Sequence, residues 1–143
     1  MANTVAGTDI ETTYFGFHLM LDLYSCDLES LRDEKLCMTA LEELPGILGM
    51  TIFQPPQLAR LEESEDLEDQ KDPGGLSGFV MIKESHISLH TFPKRGFVSI
   101  DVYSCEPFSK DKAVRYFEEL FKSKDSEINF VKRGSRYPKE NIY

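Results

Sequence analysis

A short stretch of the chain places polar side chains at every second position. His86, Ser88 and His90 alternate with Ile87 and Leu89. Because successive side chains of a β-strand point to opposite faces, this spacing predicts a strand with both histidines and Ser88 on one face. Imidazole and hydroxyl groups serve as proton carriers and nucleophiles, whereas a plain solvent-facing strand usually carries Lys, Glu and Thr. This face is therefore a candidate site for chemistry.

A second stretch has the same alternation. Ser99, Asp101, Tyr103 and Cys105 are separated by Val98, Ile100 and Val102, so that the polar set again shares one side of a strand. Only a few residues separate the two stretches, which predicts neighbouring strands of an antiparallel sheet. Reactive groups from both strands are then expected on the same surface.

The residues alone leave several kinds of chemistry open. His86 and His90 could form part of a metal site, but no third ligand is placed by the sequence. A serine hydrolase is conceivable, although the chain has no G-x-S-x-G elbow. Cys105 could be a small buried hydrophobic residue or a catalytic thiol.

The elements that would carry these strands follow from periodicity. A strand is predicted over 14–24, with Gly16 marking a bulge or a close backbone approach. Asp33 is a predicted N-cap for a helix that extends to about Leu44 and is ended by Pro45-Gly46. A short second strand is predicted over 50–53.

The second half of the chain has further strand-like runs and a helix. Three strands are predicted over 78–83, 86–92 and 97–103, Ser109 caps a second helix, and a last strand covers 128–131. This order favours an α+β, two-layer sandwich, an antiparallel sheet with two helices packed on one face. The other sheet face needs a cover, and we expect dimerisation through the sheets.

The composition fits one globular domain that covers residues 1–143. Residues 1–13 are predicted to be ragged, and 61–75 to be an acidic mobile loop, since seven of the twelve residues in 61–72 are acidic. There is no apolar run of membrane-spanning length and no pattern of a secretory signal. The net charge of −9 disfavours nucleic-acid binding, and three cysteines without a CxxC pair fit a reducing cytoplasm.

Longer runs of the sequence resemble a known family. These are ESHISLHTFP at 84–93, SIDVYSC at 99–105, GLSGFVMIKES at 75–85, FGFHLMLDLYSCD at 15–27 and KRGSRYP at 132–138. Together they resemble S-adenosylmethionine decarboxylase in its short prokaryotic form, a pyruvoyl-dependent enzyme. The resemblance implies a self-cleaving proenzyme that supplies the aminopropyl donor for spermidine synthesis, as a cytoplasmic homo-oligomer of cleaved chains.

The resemblance also implies roles for five residues. The cut falls between Glu84 and Ser85, Ser85 becomes the pyruvoyl cofactor, and Ser77 matches the serine that assists the oxyanion step. His90 matches the histidine that moves a proton during cleavage, and Cys105 matches the proton donor of the decarboxylation. The pyruvoyl carbonyl forms a Schiff base with the substrate amine. His86 is expected to be structural or to line the site, and no metal is implied.

Two positions depart from the family pattern. Lys94 follows the HT-x-P motif where the family usually has a ribose-binding glutamate, and Lys71 stands where an aromatic residue often stacks on adenine. A lysine cannot accept hydrogen bonds from ribose hydroxyls. Phe15, Phe17 or Phe92 could supply another stacking surface. Alternative hypotheses are therefore a pyruvoyl-dependent decarboxylase of ornithine or arginine, or an unprocessed regulatory paralogue.

Overall fold

A six-stranded antiparallel sheet forms the centre of the molecule, in the strand order β2-β3-β4-β5-β1-β6. The computed structural model describes residues 14–66, 68 and 71–138, so the predicted ragged N-terminus lies outside the described residues. The elements are β1 Gly16–Tyr24, α1 Leu28–Arg32, α2 Glu34–Ile47, β2 Gln57–Leu61, β3 Gly75–Ile82, β4 Ser85–Phe92, β5 Phe97–Ser104, α3 Lys110–Phe121 and β6 Asp125–Arg133. The predicted α+β fold, with its main helices on one face, is confirmed.

The core lies between the helices and one face of the sheet. Every second residue of the central strands is buried there, as with Leu19, Leu21 and Leu23 of β1. Phe117 and Phe121 of α3 fill the same layer and are fully buried. The opposite face carries the polar residues of the alternating stretches, and no helix among the described residues covers it.

The helices differ from the sequence prediction in two places. Asp33 does cap α2, by accepting a hydrogen bond from the Leu36 amide, but α2 continues through Pro45 to Ile47. Proline removes one backbone donor, and Leu44 and Pro45 are buried, so packing compensates in this last turn. The five-residue helix α1 was not predicted. Asp27 caps it through the Ser30 amide.

The predicted strand over 50–53 is wrong. Ile52 makes only an isolated bridge to Ile82, and the strand next to β3 is β2 at Gln57–Leu61. The sequence QLARL shows no alternation of apolar and polar residues because four of its five side chains are exposed at the sheet edge. An edge strand of this kind leaves no period-two signal.

The acidic segment connects β2 to β3, and its bounds are narrower than predicted, since Leu61 ends β2 and Gly75 begins β3. Glu63 in this segment accepts two hydrogen bonds of 3.0 Å from the guanidinium of Arg32. Glu63, near the start of the segment, is thus bound to the last residue of α1.

Gly16 lies where β1 passes close to the end of β5. A Cβ atom on Gly16 would stand 2.5 Å from the carbonyl oxygen of Ser104, a distance that a side chain cannot tolerate. The predicted close approach is therefore confirmed. It holds β1 against the residues that lead into Cys105.

Thr91 supports the sheet from the core side of β4. Its hydroxyl donates to the Leu31 carbonyl at 2.8 Å and accepts from the Leu76 amide at 3.0 Å, and the residue is 2% exposed. Thr91→Val leaves both backbone groups unpaired, and we expect it to lower the free energy of unfolding by about 2–4 kcal/mol. Urea denaturation measures this, with Thr39→Val on the exposed side of α2 as the control. Equal stability of both variants would contradict the role.

Candidate active site

The strand register builds a polar surface on the uncovered face of the sheet. His90 of β4 stands between Ser77 of β3 and Ser99 of β5, and the next pairs along the strands place Ser88 opposite Asp101. Directly opposed residues of antiparallel strands share one face. Both alternating stretches therefore contribute to the same surface, as predicted.

Ser77 and His90 form a hydrogen-bonded pair. The Nδ1 atom of His90 lies 2.9 Å from the hydroxyl oxygen of Ser77. They meet because β3 and β4 form a hairpin whose register places them opposite each other. An imidazole held against a hydroxyl can move a proton to or from a neighbouring group.

Glu84 and Ser85 lie at the turn of this hairpin. The backbone amide of Cys105 donates a 2.9 Å hydrogen bond to the carbonyl oxygen of Glu84. Ser85 is half-buried at the first position of β4, opposite Ser104. The Glu84 carboxylate accepts a longer hydrogen bond of 3.3 Å from the Thr51 amide. The carbonyl carbon before Ser85 is thus polarised by a fixed donor.

Cys105 follows the last residue of β5 and is half-buried. Burial raises the pKa of its thiol, and the carboxylates of Glu106 and Glu84 raise it further. The thiol therefore keeps its proton at neutral pH. A protonated thiol beside the Glu84–Ser85 peptide can act as an acid, and it is a poor nucleophile.

A group of rings lies one row along the sheet from Ser85. Tyr103 contacts His86 edge-on and also His18, with ring centroids 5.6 and 5.5 Å apart. The Nε2 atom of His18 lies 2.8 Å from the Oδ1 atom of Asp101, within hydrogen-bond distance. The Arg133 guanidinium lies 4.4 Å from the centre of the Tyr103 ring. Burial, and then the nearby His18, lower the pKa of His86, which keeps this imidazole neutral.

His18 and Arg133 were missed by sequence reasoning. They come from β1 and β6, and the order β5-β1-β6 brings them to Tyr103. A signal for His18 exists, because His18, Met20 and Asp22 alternate along β1 with Leu19, Leu21 and Leu23, in the same manner as the other polar sets. Arg133 offers no such signal, since most of the side chains of β6 are exposed.

Two hollows mark the uncovered face. One of about 650 Å³ is bounded by Ser85, His86 and Tyr103, with Phe53, Met81, Ile82 and Lys83. The other, of about 460 Å³, lies over Ser77 and His90 and also touches His86. The larger volume is in the usual range for small-molecule sites.

The predicted site residues fall into two groups, and one chain does not bring the groups together. Glu84, Ser85 and Cys105 meet at the hairpin turn, whereas Ser77 and His90 meet farther along the strands. His90 is five residues beyond Ser85 in the same strand, a separation of roughly 16 Å at the usual rise per residue.

The two departures from the family pattern lie outside the strands that carry this surface. Lys94 is half-buried in a 3₁₀ turn directly after β4, beside Phe92, whose ring centroid is 5.5 Å from that of Phe97. Lys71 is exposed before β3. Phe17 stacks on Phe130 and lies on the same side of β1 as the buried Leu19 and Leu21, which face the helices. Phe92 is therefore better placed than Phe17 to face a substrate.

Comparison with known proteins gives one consistent result. A family model described as S-adenosylmethionine decarboxylase matches residues 17–134. An S-adenosylmethionine decarboxylase proenzyme of Pyrococcus furiosus is 32% identical over 120 residues, 83% of this chain and 78% of that protein. The proenzyme of Clostridium botulinum strain Loch Maree is 32% identical over 122 residues, covering 85% and 96%.

A solved structure agrees. The crystal structure of the adenosylmethionine decarboxylase from Aquifex aeolicus superposes with a TM-score of 0.69 at 25% identity, and the match covers 91% of this chain and 98% of that one. With a family model that matches most of the sequence, these likenesses show that the chain belongs to the S-adenosylmethionine decarboxylase family.

Proposed function

We propose that the chain is a proenzyme that cuts itself between Glu84 and Ser85, and that the pyruvoyl enzyme so formed decarboxylates S-adenosylmethionine. The observation that carries the proposal is the Cys105 amide on the Glu84 carbonyl oxygen, at 2.9 Å. That oxygen becomes the oxyanion when Ser85 attacks, and a donor already in place stabilises it. Family membership supplies the substrate.

Self-cleavage changes bonds at two residues only, Glu84 and Ser85. The Ser85 hydroxyl attacks the Glu84 carbonyl carbon, the peptide C–N bond breaks, and an ester forms. A base then removes the α-proton of Ser85, the ester C–O bond breaks, and Glu84 leaves as a carboxylate. Water replaces the amino nitrogen, which departs as ammonia. The products are a chain of residues 1–84 and a chain of residues 85–143 with an N-terminal pyruvoyl group.

The family uses a pyruvoyl group formed by self-cleavage, and the surroundings of Ser85 fit it. Ser85 is half-buried at the edge of the larger hollow. When formed, the pyruvoyl carbonyl supplies the electron sink for loss of carbon dioxide. Cys105 lies beside it with a raised thiol pKa, so it can return a proton to the substrate α-carbon.

Ser77 and His90 require a second copy in this scheme. They lie roughly 16 Å from Ser85 of their own chain, beyond the reach of a side chain. Two sheets packed on their uncovered faces, with strands running in opposite directions, bring the Ser77–His90 end of one copy over the Ser85 end of the other. Exposed Phe79 and Met81 supply apolar area for this contact, being 42% and 40% exposed. A two-fold dimer then has two such composite sites.

We infer a cytoplasmic setting and a small-molecule substrate from the composition. All three cysteines are free, which suits a reducing cytoplasm. The net charge of −9 gives a phosphate backbone no attraction, so we expect a small-molecule substrate and no nucleic acid. Among the described residues, no helix is long and apolar enough to cross a membrane.

The experiment that tests the proposal is a release assay with carboxyl-labelled substrates. The processed protein is given S-adenosylmethionine, ornithine or arginine in parallel, and labelled carbon dioxide is collected. We expect labelled carbon dioxide from S-adenosylmethionine and none from ornithine or arginine. Release from ornithine or arginine alone would show that Lys94 and Lys71 mark a changed substrate, and no release from any of the three would overturn the enzymatic proposal.

Cys105→Ala is expected to separate cleavage from turnover. The backbone amide that holds the Glu84 carbonyl remains in this variant, so the chain should still cut itself. Decarboxylation should fall roughly 10²–10⁴-fold because the proton donor is lost. Intact mass and the release assay measure the two steps, and unchanged turnover would reject Cys105 as the donor.

The wild-type pH profile provides a companion measurement. Decarboxylation should decline on the alkaline side as the thiol loses its proton, and Glu106→Gln should move that decline to lower pH, because the Glu106 charge helps to raise the thiol pKa.

A further inference from the structure

Strand β6 is a long open edge of the sheet. It covers Asp125–Arg133, pairs with β1 on one side only, and is exposed at eight of its nine positions. No described residue pairs with its outer side. Exposed edges present unpaired amides and carbonyls that join other strands, so folded proteins shorten, charge or cover them.

The opposite edge strand, β2, is protected against pairing with another chain. Strand β2 has only five residues and is preceded by Pro55 and Pro56. Its Arg60 is bound to Glu34 of α2. Strand β6 has no proline or glycine, and Ile128, Phe130 and Val131 are 44%, 39% and 43% exposed. The apolar middle of β6 therefore needs a cover.

The sequence of β6 is complementary to itself when reversed. It reads DSEINFVKR, with acidic residues in the first third, apolar residues around the centre and basic residues at the end. An antiparallel pair centred on Asn129 sets Asp125 opposite Arg133 and Ile128 opposite Phe130, twice over. Opposite charges and apolar pairs facing each other across strands both stabilise such a ladder.

We propose that β6 pairs with β6 of a second copy of this chain, antiparallel and centred on Asn129, so that two sheets become continuous. The contact is isologous, since a two-fold axis passes beside Asn129. Within one copy, the Asp125 carboxylate accepts from the Ser126 amide and the Arg133 guanidinium lies over the Tyr103 ring of β5, so the Asp125–Arg133 pairs form when Arg133 turns from that ring toward the edge. This pairing uses the edge and leaves the sheet face for the dimer proposed above.

A disulfide tests the register directly. In the proposed pairing, Asn129 faces its own counterpart, at a separation suited to a disulfide. Asn129→Cys should therefore give a doubled mass of the 85–143 fragment on a non-reducing denaturing gel after mild oxidation, at least tenfold more than Glu127→Cys. The Glu127 position is the matched control, because it faces Val131 of the other copy. Equal cross-linking of the two variants would overturn the proposal.

The assembly mass provides an independent test. Ile128→Lys places a charge at the centre of the contact, whereas Ile47→Lys alters an isoleucine of the same 44% exposure at the end of α2. Light scattering of the full protein should show that Ile128→Lys halves the mass of the assembly and that Ile47→Lys leaves it unchanged. If both variants keep the wild-type mass, β6 does not pair in solution. The face-to-face dimer would remain in either case, so the two proposals fail separately.

Discussion

Ser85→Ala is expected to leave one uncut chain with no decarboxylase activity. The substitution removes the hydroxyl that attacks the Glu84 carbonyl, and with it the β-oxygen whose elimination from the ester converts the residue into the pyruvoyl group. The Cys105 amide still holds the carbonyl oxygen, but a donor without a nucleophile forms no tetrahedral intermediate. Both processing and turnover should therefore be lost together.

Mass spectrometry under denaturing conditions measures this result. Wild-type protein should give two species divided after Glu84, the second lighter by one ammonia than a chain that begins with serine. Ser88→Ala is the matched control, because Ser88 lies in the same strand but faces Asp101, away from the hairpin turn. It should cut normally. A cut Ser85→Ala chain would place the nucleophile elsewhere.

Much of the sheet could be predicted, because a strand that is buried on one face has apolar residues at every second position. Strands β3, β4 and β5 were predicted to within a few residues, and the Asp33 and Ser109 caps were correct. Elements with few buried side chains lack that signal, which explains why β2 was missed. The end of α2 was misjudged because buried Pro45 is tolerated in a final helical turn.

The separation of the site into two groups could have been derived from the sequence. Ser85 and His90 were both predicted in or beside one strand, and five residues of a strand span roughly 16 Å. The resemblance names both residues for one reaction but does not say that they must share a chain. The Cys105 amide could not have been predicted, because a backbone donor has no side-chain signature.

The neighbours of Tyr103 depend on strand order, which the sequence did not reveal. His18 and Arg133 reach this ring because β1 lies between β5 and β6. The chain runs from β1 through α1, α2 and three strands before β5 returns to it, so their pairing is long-range. Periodicity predicts which face a residue occupies, whereas the order of strands depends on the whole fold.

Co-expression of His90→Ala with Cys105→Ala is expected to restore activity that neither variant has alone. If each site takes Ser85 and Cys105 from one copy and Ser77 and His90 from the other, a mixed dimer contains one intact site and one site with both changes. Random mixing makes half of the dimers mixed, so about a quarter of the wild-type activity should return. Release of labelled carbon dioxide measures the recovery.

Co-expression of Ser77→Ala with His90→Ala provides the matched control. These two residues are hydrogen-bonded in one copy, so every site of a mixed dimer receives one damaged pair and no activity should return. Recovery in the first mixture and its absence in the second would require a site shared between copies. Failure of the first mixture would mean that one chain carries the whole site, and His90 would then have to approach Ser85 by a rearrangement of β4 itself. Such a rearrangement would break the pairing of β4 with both β3 and β5, and the central position of that strand makes the shared site the less costly arrangement.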